Sequence, residues 1–228
     1  KNHKAAHRHV TEQASIRAAD LEARFAAFAV KMRQAGIHEV AIRTFHYYYA
    51  QLLQGATGHV PAAQAQPVYD LPVAEALEPY QAAGVAALNQ TVMIKLNGGL
   101  GTTMGMQGPK SLVEVKEGLT FLDIIVHQVL QLRRRYNVRM PLVLMNSFNT
   151  QTASRAALKA HPTLTQDVPL DFLQNKTPKI WKDEFTPVTW SDAPEKEWCP
   201  PGHGDLYLAL QTSGVLKQLL AKGYEYAF

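Results

Sequence analysis

The sequence predicts an α/β fold, with a mixed, mostly parallel sheet flanked by helices and a helical region ahead of it. Three observations carry this. The hydrophobic period changes near residue 90, from helical before it to strand, loop and helix in repetition after it. The runs 91–96, 141–145 and 168–173 are short and apolar, as parallel strands buried on both faces are. Amphipathic stretches follow these runs in turn, and such alternation implies right-handed βαβ units. The expected organisation is therefore a helical region over residues 1–89 and an α/β domain over residues 90–228.

Taken in order, Leu21, Phe25, Phe28 and Met32 fall on one helical stripe. A second helix is expected from Glu39 to Leu53, with Val40, Phe45, Tyr48 and Leu52 inward. Residues 55–72 are rich in Gly, Pro, Ala and Gln and read as a loop, with a short helix at 73–84. Thr91–Leu96 is the first strand. Thr120 is placed to cap a helix carrying Leu122, Ile125, Val126, Val129 and Leu132. Pro141–Met145 is a strand, Thr150–Ala160 a helix and Val168–Leu173 a strand. After a Pro-rich stretch come a helix over Asp205–Leu220, with Asp205 as its N-cap, and a strand beginning at Tyr224. A strand that has barely begun at Phe228 leads to the expectation that the chain is a fragment of a longer protein.

Composition bounds the function. The 228 residues are 46% apolar, enough for a substantial core, and the net charge is a mild +4. Basic residues are spread out, and the one tight run, Arg133-Arg134-Arg135, suits a helix C-terminus, so nucleic acid is not an expected partner. Cys199 is the single cysteine, which rules out an internal disulfide and reads as a packing residue. No apolar run reaches the roughly 18 residues a membrane helix needs, so a cytoplasmic protein with no membrane partner is expected. His3, His7 and His9 have spacings a metal could use, but at a chain end they read as solvated.

The most informative segment runs from Lys95 to Ser111: Leu96-Asn97-Gly98-Gly99-Leu100-Gly101-Thr102-Thr103-Met104-Gly105-Met106-Gln107-Gly108-Pro109-Lys110. It starts where a parallel strand ends, the place at which open α/β sheets bind ligands. Its five glycines let backbone N–H groups approach and cradle phosphate oxygens, and Lys110 adds a mobile point charge. Neither common phosphate loop fits. Pro109 separates Gly108 from Lys110, against the Walker pattern, and Met104 takes the third glycine position of the dinucleotide fingerprint. The lack of an acidic residue ending a second strand further disfavours a nicotinamide enzyme.

The same segment resembles the signature of the eukaryotic-type UDP-glucose pyrophosphorylases, with L-N-G-G-L-G-T, then M-G, then G-P-K-S, without a gap. Pro141 to Thr150, Phe172-Leu173-Gln174 with Pro178-Lys179-Ile180, and Trp198 to Asp205 resemble three further motifs of that family in the same order. The related N-acetylhexosamine enzymes usually carry Arg-Leu-Gly where this chain has Thr103-Met104-Gly105, which favours the glucose enzyme. The resemblance implies a Rossmann-like, GT-A-like nucleotidyltransferase domain, preceded by helices and followed by a β-helix. It implies UTP contacts at Leu96, Asn97, Gly98 and Gly99, with Gly98 and Gly99 near the uracil and the sugar substrate. Lys110 would be the catalytic cation facing the triphosphate and the metal region, and Gln174 would hydrogen-bond the uracil edge. Gly202 would lie against the base and His203 on the sugar-phosphate side. Asn146 and Ser147 would line the site without being ligands.

The implied reaction joins UTP and glucose 1-phosphate into UDP-glucose and pyrophosphate, by in-line attack at the α-phosphorus. Charge neutralisation and alignment would drive it, with Mg²⁺ as cofactor. The family's Asn-x-Asp-Asn segment, whose Asp is expected to hold Mg²⁺, would begin just past Phe228, so the chain alone is expected to be inactive. A pyrophosphorylase for another sugar 1-phosphate and a non-catalytic nucleotide-binding module are the alternatives. The oligomeric state is not legible.

Overall fold

Two helices, α1 (Ala18–Gln34) and α2 (Glu39–Leu53), begin the computed structural model, which describes residues 18–228. His3, His7 and His9 lie outside them. The described residues fall into two compact units, 18–69 with 178–198 and 70–177 with 199–228. The expected cut at residue 90 thus differs from the spatial division, which gives 70–89 to the α/β unit and 178–198 to the helical one.

In the helical unit Phe25, Phe28 and Met32 of α1 pack against Ile42 and Tyr49 of α2, with Ile180 and Phe185 against the same cluster. Tyr49 also donates to the Phe185 carbonyl at 2.8 Å, and Lys31 pairs with Glu197 and donates to the Val188 carbonyl. The inward face of α2 needs correction. Tyr48 is 60% exposed and Tyr49 2%, because Ile42, Phe45 and Tyr49 share the stripe that meets Phe25 and Phe28. Three tyrosines in a row gave the periodicity nothing to choose between, whereas Tyr49 alone gains both ring contacts and a partner for its hydroxyl.

The α/β unit starts with a 3₁₀ turn at Ala74–Tyr80 and α3 (Gln81–Ala87), then β1 (Thr91–Asn97). After the glycine-rich loop come α4 (Phe121–Tyr136), β2 (Leu142–Asn146), α5 (Gln151–Leu158) and β3 (Asp171–Leu173). Then follow α6 (Leu206–Thr212), α7 (Val215–Ala221) and β4 (Tyr226–Ala227). The strands form one parallel sheet in the order β3-β2-β1-β4. Register places Asn97 beside Asn146 and Asn146 beside Leu173, so the three carboxyl ends are level.

Side-chain alternation along β2 divides the core. Leu142 and Leu144 face Leu122, Val126 and Val129 of α4 and Leu158 of α5. Val143 and Met145 face Phe172, Ala209, Leu210, Val215 and Leu219, which brings in α6 and α7. Each such fully buried side chain contributes roughly 1.5–3 kcal/mol. Thr120 caps α4 as expected, in a reciprocal capping box with Asp123, and Asn137 ends the helix in the left-handed conformation after Arg133-Arg134-Arg135. The single helix expected over Asp205–Leu220 is instead two, broken at Gly214, whose φ of 75° favours glycine. No helix among the described residues is long and apolar enough to cross a membrane.

Candidate functional site

The glycine-rich loop leaves β1 at Asn97 and folds back on itself. Leu100 bridges Pro109, the Gly101 amide donates to the Gly108 carbonyl at 2.9 Å, and the Lys110 amide donates to the Gly99 carbonyl at 3.0 Å. These bonds return Lys110 to the foot of the loop, opposite Gly99, where a Cβ on Gly99 would stand 3.8 Å from the lysine Cδ. The Lys110 side chain is exposed, and among the described residues its ammonium has no ion pair. Lys110 therefore stands as a free, solvated cation beside the first glycines of the loop.

Gly98 is glycine for a reason of space. A Cβ there would lie 2.6 Å from Nε2 of Gln174, so the loop backbone and the Gln174 amide touch. Gln174 follows β3 and is held by its backbone amide, which donates to the Asn146 carbonyl at 2.8 Å. The residue is 6% exposed, and Oε1 is buried without a hydrogen-bond partner. An unpaired buried acceptor costs about 1–3 kcal/mol, so such an atom in a native site marks a place for a donor.

Beneath the loop lies a buried polar network. Asn97 donates from Nδ2 to Asn146 Oδ1 and to Ser154 Oγ, both at 2.7 Å. Asn146 donates from its own Nδ2 to Asp171 Oδ2 at 2.9 Å. Asp171 also accepts from Gln151 at 2.8 Å and from Nε and an Nη of Arg155 at 2.9 and 2.8 Å. Ser147 donates to the Gly98 carbonyl at 2.9 Å and so fixes the first peptide of the loop. Asn146 and Ser147 thus act as supports under the loop. Asp171, Arg155, Gln151 and Ser154 were not legible as site residues. Their one sequence signal is the polar pair Asn146-Ser147 directly after four apolar residues, where a buried strand end needs partners.

The Gly202-His203 loop is exposed, and Gly202 has φ 105°, a conformation reserved for glycine. Asp205 takes the N-cap position ahead of α6 as expected, but its side chain does not cap the helix. It lies in αR conformation with no capping bond, and its carboxylate accepts from the Asn175 amide at 2.6 Å and from Asn175 Nδ2 at 2.9 Å. A partner from the loop after β3 prevails over the local backbone. Burial pushes the Asp205 carboxyl up, against those two bonds. Asp205 therefore ties the Gly202–His203 loop to the residue after Gln174. The structure so brings Leu96, Asn97, Gly98, Gly99, Lys110 and Gln174 together, and joins Gly202 and His203 to them through Asn175.

No three His, Cys, Asp or Glu among the described residues stand together to hold a metal. The carboxylates of Asp171 and Asp205 are engaged with Arg155, Asn146, Gln151 and Asn175. The donors among the described residues do not make a Mg²⁺ site by themselves.

Comparison with known proteins gives this geometry its relatives. Residues 42–228 match the family model described as UTP–glucose-1-phosphate uridylyltransferase. A probable UTP–glucose-1-phosphate uridylyltransferase of Schizosaccharomyces pombe is 48% identical over 142 residues, covering 62% of this chain and 28% of that protein. The Astragalus penduliflorus enzyme of that name is 35% identical over 212 residues, covering 87% and 44%. A mutant UDP-glucose pyrophosphorylase from Leishmania major, crystallised in complex with UDP-glucose, superimposes with a TM-score of 0.81 at 40% identity, over 90% of this chain and 43% of that one. The chain thus spans less than half the length of these relatives.

Proposed function

This chain belongs to the UTP–glucose-1-phosphate uridylyltransferase family, and from that membership we propose that the protein makes UDP-glucose and pyrophosphate from UTP and glucose 1-phosphate. Residues 96–110 and Gln174 form its uridine-nucleotide cradle. One observation carries the assignment of the cradle: the Gln174 side-chain amide lies against Gly98 with its Oε1 buried and unpartnered. Uracil presents one ring N–H donor on its pairing edge, which matches an acceptor that nothing in the protein satisfies. Adenine and cytosine present no ring N–H there. Gly98 and Gly99 let the base lie on the backbone itself, which side chains would prevent.

Lys110 supports the other half of the reading. Attack by one phosphate oxygen on the α-phosphorus of UTP brings two polyanions together, and negative charge spreads over the phosphoryl oxygens as the pyrophosphate leaves. A free lysine at the loop foot stabilises that charge as a point cation, with no covalent intermediate needed. His203, exposed on a glycine-flanked turn, is the proposed contact on the sugar-phosphate side. Mg²⁺ belongs to the proposal as a partner of the nucleotide phosphates. A cytoplasmic location is part of the same proposal.

Calorimetric titration of the chain tests the cradle. UTP and UDP-glucose should bind, and ATP should bind at least about tenfold more weakly, the worth of roughly one hydrogen bond to an otherwise unpaired group. Failure of both uridine nucleotides to bind would end the reading.

A further inference from the structure

The network under the loop has a direction, and the direction starts at Asp171. A carboxylate only accepts hydrogen bonds. Asp171, 4% exposed at its side chain, accepts from Arg155, Gln151 and Asn146. Asn146 must therefore turn its Nδ2 toward Asp171, which leaves its Oδ1 facing Asn97. Asn97 must in turn present Nδ2 to that oxygen. Ser154 enforces the same sense, because its hydroxyl proton goes to the Thr150 carbonyl at 2.8 Å and its oxygen can only accept from Asn97. Both amide protons of Asn97 are thus drawn inward, and Oδ1 is left as the acceptor turned away from Asn146 and Ser154.

We propose that Asp171 is a positioning residue for the nucleotide loop: acting through Asn146, it fixes the sense of the Asn97 amide so that the site is offered an acceptor at the start of the loop and never a donor. The buried negative charge sits two side chains away from any ligand and works by polarity, not by contact. Arg155, whose side chain is 59% exposed, supplies the compensating charge from the surface without placing a second cation at the site. A neutral side chain in place of Asp171 would lose the direction. An asparagine there would offer its oxygen to Arg155 and its Nδ2 to Asn146, and the amides of Asn146 and Asn97 would then turn over.

The inference rests on the reading of the loop as a uridine-nucleotide cradle, and the experiment separates the two. Asp171→Asn should weaken UDP-glucose binding by the chain about tenfold or more in calorimetry. Asp171→Asn with Asn146→Asp moves the charge one side chain along and restores an acceptor-only group facing Asn97, with Gln151 turning its amide to match. This double variant should recover binding to within about threefold of the parent, a rescue that a purely structural role does not give. Parent-like binding by the single variant, or equal loss in single and double variants, overturns the proposal. Side-chain amide NMR judges it without a ligand. The Asn97 Nδ2 protons should exchange slowly in the parent, fast in Asp171→Asn and slowly again in the double variant, and an unchanged Asn97 signal in the single variant overturns it. If the parent binds neither uridine nucleotide, the cradle fails while the NMR result still decides Asp171. Should Asp171→Asn not fold, Ser154→Ala removes only the second acceptor for Asn97. It should weaken binding about threefold, and unchanged binding counts against the proposal.

Discussion

At the amino ends of the strands, Arg133 gives its three donor nitrogens to the Met140 and Thr165 carbonyls and to Gln166, and Gln166 returns bonds to the amide and carbonyl of Leu142. Asp167 there takes the Tyr224 hydroxyl at 2.9 Å and faces Arg139. At the carboxyl ends the pattern is different. Asn97, Asn146 and Asp171 are paired in series, while among the described residues Gln174 keeps a buried acceptor unpaired and Lys110 an ammonium without an ion pair. Both ends are rich in polar groups, and a recess of about 340 Å³ lies at the amino end. Polarity and hollow space therefore do not distinguish the two. What distinguishes them is satisfaction: one end has its hydrogen bonds closed within the chain, and the other leaves an exposed cation and a buried acceptor unpaired among the described residues beside a glycine-rich loop.

Lys110 gives the strongest test of that contrast. In a family-length protein containing this chain, Lys110→Ala should lower kcat by about 10²–10³, or about 3–4 kcal/mol, with stability unmoved, by steady-state kinetics and thermal melting. Near-normal turnover would remove Lys110 from the open end's chemistry. Gln166→Ala should do the reverse. It leaves Arg133 and the Leu142 amide short of partners and should cost about 2–3 kcal/mol in denaturant unfolding, with UDP-glucose affinity within about twofold of the parent. A loss of affinity as large as the loss of stability would mean the two ends are not independent.

Acid probes the closed hydrogen bonds through the start of α4. Burial pushes the Asp123 carboxyl up, but bonds from the Thr120 hydroxyl and amide and from His161 outweigh it and hold the group at about 2, against an ordinary 3.8. A folded value below the unfolded one gives stability that is fully present above the unfolded value and is lost as pH falls through the folded one. Chemical denaturation should therefore lose on the order of 2 kcal/mol between about pH 5 and pH 2 through this group, and Asp123→Asn should flatten that slope. An unaltered slope would show that Asp123 is not held as described. Gly98→Ala should have the smallest effect. The new methyl meets the mobile end of Gln174, not backbone, so the amide swings aside, and UTP affinity should fall about tenfold with little change in unfolding.

The strands and α4 were legible because their residues face one environment for several turns or pleats. Leu122, Val126 and Val129 can only be a buried stripe, and Thr120 with Asp123 is a local signal complete in four residues. Lys110 and the glycines were legible because a tight loop after a strand is also local. Tyr49, the partner of Asp205 and the break at Gly214 were not. Each was settled by a neighbour distant in the chain or by a conformation that a smooth periodicity hides. Asp205 chose Asn175, 30 residues away, over the helix start at its own position.

The alternation of buried strand and amphipathic helix, the loop at the end of the first strand and the family to which its motifs are similar are all written in the order of the residues. They depend on hydrophobic period, glycine and short-range capping, which a linear chain carries openly. Which polar groups are closed and which are left open became visible only in the folded chain. Asn97 meets Asn146 across 49 residues and Asn146 meets Asp171 across 25. Such pairings depend on strand register, which aligns the three carboxyl ends, and register is fixed by how the whole sheet packs rather than by any one segment.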